Sequence, residues 1–310
     1  MPVNEPTPRL RAIGQALRSF WRRGRTIERA GYSVGALLVG SGLIHLAILA
    51  IGGGSWEGPL SLRKAMSFGL SFGLTLITIV WTASFVRLGA RARTALLGVF
   101  TVACVVEVLL VSMQAWRGAP SHYNVETAFD AQIARTLAAG GAVLIATIAT
   151  LTFASFRDNR TVPRSLQIAL RIGFVLLSAS LLVGALMIAK GMRLVFAGDP
   201  HAAYFTGGTL KPTHAVTMHA ILVLPALAWL QSFVDWPERR RLNVVLLGTA
   251  GYLAFAIIVA IENVAGIAPS ATPLAPLLLS ALGLFALVAA GIMTLIGLTR
   301  AFTARGIEHD

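Results

Sequence analysis

Apolar residues in this chain fall into long unbroken runs, with polar and charged positions confined to the short stretches between them. Runs of roughly 18 or more apolar residues are what a ~30 Å hydrocarbon layer selects, because a helix rises 1.5 Å per residue. The runs predict transmembrane helices at about 31–52, 65–86, 94–115, 132–156, 166–190, 213–234, 242–264 and 274–299. The expected fold is therefore all-α, a polytopic membrane bundle of eight helices. Ahead of the first run, Leu10, Ile13, Leu17, Phe20 and Trp21 recur at helical spacing among arginines. That pattern predicts a basic amphipathic helix within 7–29, lying on a membrane surface. A signal-peptide n-region is the alternative, but the apolar run that follows is long enough to span, so an uncleaved first helix is expected. The expected organisation is a surface segment (1–30), a transmembrane domain (31–300) and a short tail (301–310).

Composition agrees with the pattern: 56% of residues are hydrophobic and only 13% charged, about half the charged share of a soluble domain. The net charge of +13 would suit nucleic acid, but its distribution argues otherwise. Arginines cluster between Arg9 and Arg29, at Arg87, Arg91 and Arg93, at Arg157, Arg160 and Arg164, at Arg239, Arg240 and Arg241, and at Arg300 and Arg305. With eight spans all these clusters lie on one side, which the positive-inside bias marks as cytoplasmic, as it does both termini. Anionic lipid headgroups are sufficient partners for this charge, and no nucleic acid is expected. The expected location is a bacterial plasma (inner) membrane. The single cysteine, Cys104, has no partner for a disulfide and no CxxCH context, so covalent c-type haem is excluded.

The other side carries the longer loops and the chemistry. All three lysines, Lys64, Lys190 and Lys211, lie there against the orientation bias. Polar residues inside spans are expensive in lipid and so mark candidate sites. Glu107 is expected roughly 12 Å below the outer end of its span. His45 and His219 fall at similar depth on other spans, and Glu262 lies near the outer end of the seventh. Gln114 follows Glu107 on the same helix face. Above them the loop "QAWRGAPSHYNVETAFDAQ" supplies Arg117 and His122, with Asp130 and Thr127 as natural caps for the next helix. His214 and His219 are five residues apart, about 140° around a helix, so they do not share a face; His214 is expected toward the outer loops and His219 toward the core. Small residues such as Gly35 and Gly40 permit close helix contact. A 4+4 parallel repeat is suggested because Lys64 and Lys211 open spans two and six, Trp81 and Trp229 lie near their ends, and Glu107 and Glu262 sit in spans three and seven.

Three segments carry a resemblance: "WEGPLSLRKAMSFGLSFGLT" (56–75), "EVLLVSMQAWRGAPSHYNVETAFD" (107–130) and "LKPTHAVTMHAILVLPALAWL" (210–230). They are similar to a family of uncharacterised bacterial integral membrane proteins with WEGPxSxRK, QAxRGxxSHxN and HxxxxHxxxxLP motifs. Leu62, Ala65 and Tyr123 depart from that pattern. The resemblance implies the eight-helix fold and nominates Lys64, Gln114, Arg117, Ser121, His122, Asn124, His214 and His219; it implies no activity.

These residues leave four functions open. A haem- or metal-binding membrane oxidoreductase would use His45 and His219 as axial ligands, with Gln114 and Lys64 against the cofactor; eight spans in two halves are also similar to haem A synthase, although the tract of that family is missing. A zinc-dependent outer-leaflet hydrolase would place a transition metal (Zn, Cu or Fe) on His122, His214, His219 and Glu107, with Glu107, Arg117 and His122 as catalytic groups. A permease or ligand-binding protein for an anionic or zwitterionic solute would use the same outer cavity. A non-catalytic accessory subunit would use the polar residues only to hold helices together.

Overall fold

The computed structural model describes residues 8–206 and 208–300. These residues form helices only. They are α1 (Pro8–Arg22), α2 (Thr26–Gly52), α3 (Arg63–Ala83), α4 (Ala90–Trp116), α5 (Ala128–Ser155), α6 (Arg164–Phe196), α7 (Pro200–Thr206), α8 (Lys211–Leu230), α9 (Glu238–Val264) and α10 (Leu274–Arg300). Eight are long and apolar enough to cross a membrane: α2 to α6 and α8 to α10. The protein is a multi-pass helical bundle that embeds in a bilayer. The expected tail, 301–310, lies outside the described residues.

The spans begin earlier or run longer than hydropathy alone predicts, because polar residues at a helix end can continue the backbone ladder into water. The clearest case is α6, expected to stop near 190 but continuing through Lys190 and Arg193 to Phe196. Gly198, with φ +85°, then breaks it, and α7 forms in what hydropathy reads as a loop.

Neighbour relations repeat between the two halves, in line with the suggested 4+4 organisation. α2 packs on α3 and α4, α3 on α4, and α4 on α5; likewise α6 packs on α8 and α9, α8 on α9, and α9 on α10. The halves join where α5 meets α6 and where α3 meets α8. A buried core including Leu76, Leu97, Ile148, Phe174 and Leu224 runs through both.

Close approach of α2 and α3 rests on glycine. A Cβ on Gly42 would stand 2.6 Å from the Leu70 amide nitrogen, and one on Gly69 would stand 2.6 Å from that of Gly42. Without a strong hydrophobic drive between helices in lipid, such backbone contact is what holds a pair together. Gly35 also packs closely, against Ile77 and Gly73, whereas Gly40, expected to do so, faces open space.

On the arginine-rich side α1 clasps the junction of the halves. Its Phe20 ring lies 6.5 Å from Trp81, 5.9 Å from Phe85 and 6.1 Å from Trp229. The apolar face of the amphipathic helix therefore packs on protein as well as facing the membrane. Arg93 is buried there, donating to Ala83 O (2.6 Å) and Val86 O (3.0 Å). It satisfies the orphan carbonyls at the end of α3.

Candidate functional site

The α4–α5 connection is tied before any site can be built on it. Arg117 Nη1 and Gln114 Nε2 each donate to Asp130 Oδ1 at 2.8 Å, and Arg117 also donates to Gln114 Oε1. Thr127 Oγ1 donates to Asp130 Oδ2 (2.7 Å), while the Asp130 amide donates back to Thr127 Oγ1 (3.0 Å). This knot closes the loop, and Thr127 caps the start of α5 by accepting from the Asp130 amide. Arg117 and Gln114, expected as catalytic and cofactor-binding residues, are thus occupied in holding the loop.

Within that loop Tyr123 has φ +66°, a left-handed conformation that costs a non-glycine residue on the order of 1 kcal/mol. Its hydroxyl donates to Met187 O (3.1 Å), and its ring lies on Gly191 of α6, where no side chain intervenes. Burial pushes the phenol up to about 12, so it stays a donor. Tertiary contacts therefore hold the strained turn and orient the adjacent His122. The His122 ring packs edge-on against Phe68 of α3, with centroids 5.7 Å apart, and its Nδ1 lies 3.0 Å from Ser121 Oγ. Burial, and then the positive charge of Lys64, hold this imidazole well below its ordinary value of 6.5. It is neutral at pH 7.

Below the loop, Lys64 at the start of α3 lies within electrostatic reach of three groups: Lys211 at the start of α8, Glu107 on α4, and His122. Among the described residues, neither lysine ammonium has a hydrogen bond or ion pair. Glu107 is buried, and its Oε1 has no hydrogen-bond partner. Its carboxylate instead lies on the α5 backbone at Gly140, where an added Cβ would stand 2.5 Å from that oxygen. Glu262 on α9, its counterpart in the second half, also has a buried, unpartnered Oε1.

Further along the same two helices from the lysines, α3 and α8 leave a small cleft between them. A cavity of about 20 Å³ is lined there by Ser71, Thr75 and Thr78 from α3 and by Met218 and His219 from α8, a volume near that of one water probe. The hydroxyls of Ser71 and Thr75 have no hydrogen-bond partner among the described residues. His219 uses Nδ1 on Ala215 O (2.6 Å), which leaves Nε2 free. Beyond the cleft, Trp81 and Trp229 close the α3–α8 contact with centroids 5.9 Å apart.

Several sequence expectations change here. His45 has both ring nitrogens engaged: Trp116 Nε1–H donates to Nε2 (3.0 Å), so Nδ1 carries the proton and donates to Ser41 O (2.8 Å). With no free lone pair in this arrangement, His45 is not presented as an axial ligand opposite His219. The two histidines of α8 do diverge as their spacing predicts, but with faces exchanged. His214 turns inward and donates from Nδ1 to Ser180 O (2.7 Å), while Ser180 Oγ donates to His214 O (2.8 Å); His219 faces the open cleft. The expected metal set of His122, His214, His219 and Glu107 does not assemble, and among the described residues no three His, Cys, Asp or Glu side chains group as metal ligands. Of the candidate residues, the structure brings Lys64 within electrostatic reach of Glu107 and of His122, Arg117 onto Gln114, and Ser121 onto His122. Sequence reading missed Gly140 and the pair Ser71 and Thr75; helical spacing from Lys64 could have found the last two, because 64, 68, 71, 75 and 78 follow one face of α3.

These features define a multi-pass membrane protein with a polar cluster at the junction of its two halves, on the side opposite the arginine clusters. Comparison with protein-family models, curated proteins and solved structures returns no match.

Proposed function

We propose that the protein is a permease or ligand-binding protein for a small anionic or zwitterionic solute, taken from the non-cytoplasmic side of a bacterial inner membrane. The observation that carries this reading is the pair Lys64 and Lys211. They open corresponding helices of the two halves, lie within electrostatic reach of each other, and lack any acidic side chain at ion-pairing distance. Like charges brought together in a partly desolvated setting are stabilised by an anion between them. Substrate sites at the junction of structural repeats are the common arrangement in secondary transporters.

Glu107 adds a carboxyl group within electrostatic reach of Lys64, and His122 adds a neutral imidazole. The unpartnered hydroxyls of Ser71 and Thr75, with His219 Nε2, supply a polar lining deeper between the halves. Sequence hydropathy shows almost no charge in the inner halves of the spans, but uncharged hydroxyls suffice for a solute path. The tryptophan and phenylalanine contacts at the far end support a state open only outward.

The test is a thermal-shift and calorimetric panel on the purified protein with carboxylates, phosphate, phosphate esters and amino acids. A ligand should emerge that raises the melting temperature of the wild type and not of Lys64→Gln. Shifts that are the same in both proteins for every anion would sink the proposal.

A further inference from the structure

On the arginine-rich side, well away from the lysine cluster, a cavity of about 360 Å³ opens between α1, the start of α9 and the last turns of α10. Its polar rim is built by Arg9, Asp235 and Arg240, and its floor by Val234, Trp236, Met293, Ile296 and Gly297. Arg9 is fixed: it donates to Gly297 O (2.8 Å), capping an α10 carbonyl, and pairs with Asp235 (2.5 Å). Arg240 is different. Its guanidinium lies over the Trp236 ring, 4.3 Å from the centroid, and among the described residues it has no hydrogen-bond acceptor or ion pair.

Two arginines therefore face one acid, and the stacked guanidinium holds its donors ready in a fixed plane. The Trp236 ring packs on Gly297, where an added Cβ would stand 2.6 Å from it; this seats the tryptophan against α10 with Arg240 stacked on it. The floor is continuous with Ile292, Met293, Leu295 and Ile296, which α10 exposes to the bilayer. A phosphate at the rim with hydrocarbon along α10 matches both parts of this surface. Free phosphate would leave the apolar floor uncovered.

We infer that this cavity holds the headgroup of an anionic phospholipid, its phosphodiester on Arg240 and the outward edge of Arg9, its acyl chains along α10. The site bridges the surface helix α1 and the last span, so a bound lipid joins the two. It stands apart from the proposed solute site and does not depend on it.

The experiment is native mass spectrometry of the full chain, extracted from bilayers containing equal phosphatidylglycerol and phosphatidylethanolamine. Wild type is expected to retain phosphatidylglycerol selectively. Arg240→Ala should lower that retention about fivefold, the effect of one basic contact at a membrane surface, with an unchanged melting temperature. Arg239→Ala, exposed and outside the cavity, should leave it unchanged, and millimolar inorganic phosphate or glycerophosphoglycerol should not displace the lipid. Equal retention of the two lipids, equal retention by Arg240→Ala and wild type, or equal loss in both arginine variants would overturn the site. Displacement by inorganic phosphate would reassign it to a free anion.

Discussion

Trp81 and Trp229 meet edge to face across the junction of the two halves, with ring centroids 5.9 Å apart. They lie near the ends of α3 and α8, the helices that begin with Lys64 and Lys211. The same helix pair thus carries two lysines without an ion-pair partner at one end and an aromatic seal at the other. Phe20 of α1 completes the seal from the arginine-rich side.

Removing that third ring tests the clasp. Phe20→Ala should destabilise the protein by about 2 kcal/mol, from lost burial and lost edge-to-face contacts. It should also expose the 22–25 connection to protease. Both effects should be absent in Leu17→Ala, whose side chain is 55% exposed.

The Glu107–Gly140 contact makes a sharper test. Gly140→Ala brings its Cβ onto the far end of the Glu107 side chain, which must swing aside, and should cost about 1 kcal/mol, the low end of overpacking. In a Glu107→Ala background the same substitution should cost nothing or stabilise, because alanine is the better helix former. Equal penalties in both backgrounds would separate the two residues.

The loop knot predicts strong non-additivity. Arg117→Ala and Asp130→Ala should each lower the melting temperature by several degrees, and the double variant should be little worse than either, since each single change already breaks the shared network. Arg117→Lys should not rescue fully, because a lysine cannot hold both Gln114 and Asp130 with one planar group.

His122 fixes the sign of a pH dependence. Its folded-state value lies well below 6.5, so between that value and 6.5 the unfolded chain binds the extra proton. Stability should fall as pH drops below about 6.5 and be restored above it. Melting temperatures between pH 5 and pH 8 should show this slope, and His122→Gln should flatten it.

Much of this architecture is legible in the sequence. Span number and the Lys64/Lys211 and Trp81/Trp229 correspondence follow from hydropathy and from the placing of rare residues, because lipid leaves so few ways to satisfy a backbone or a charge. Rotation of each helix about its own axis is not legible in the same way. A span is apolar all round, so its pattern does not say which side meets protein. That is why the spacing of His214 and His219 gives the angle between them but not which one turns inward. The Trp116–His45 bond joins positions 71 residues apart, and no local signal announces it. Arg117 read as catalytic because a lone arginine away from the arginine clusters looks unpaired; its partner, Asp130, is brought back only by the turn at Gly118, where φ is +64°.

The most direct measurement is the affinity of purified wild type, Lys64→Gln, Lys211→Gln and the double variant for the anion selected by the solute panel. If the two halves share one ligand, each single change loses about tenfold in affinity, the effect of one charge-assisted contact of ~1.4 kcal/mol, and the double variant loses measurable binding. Wild-type affinity in the double variant would show that the lysines face each other for some other reason.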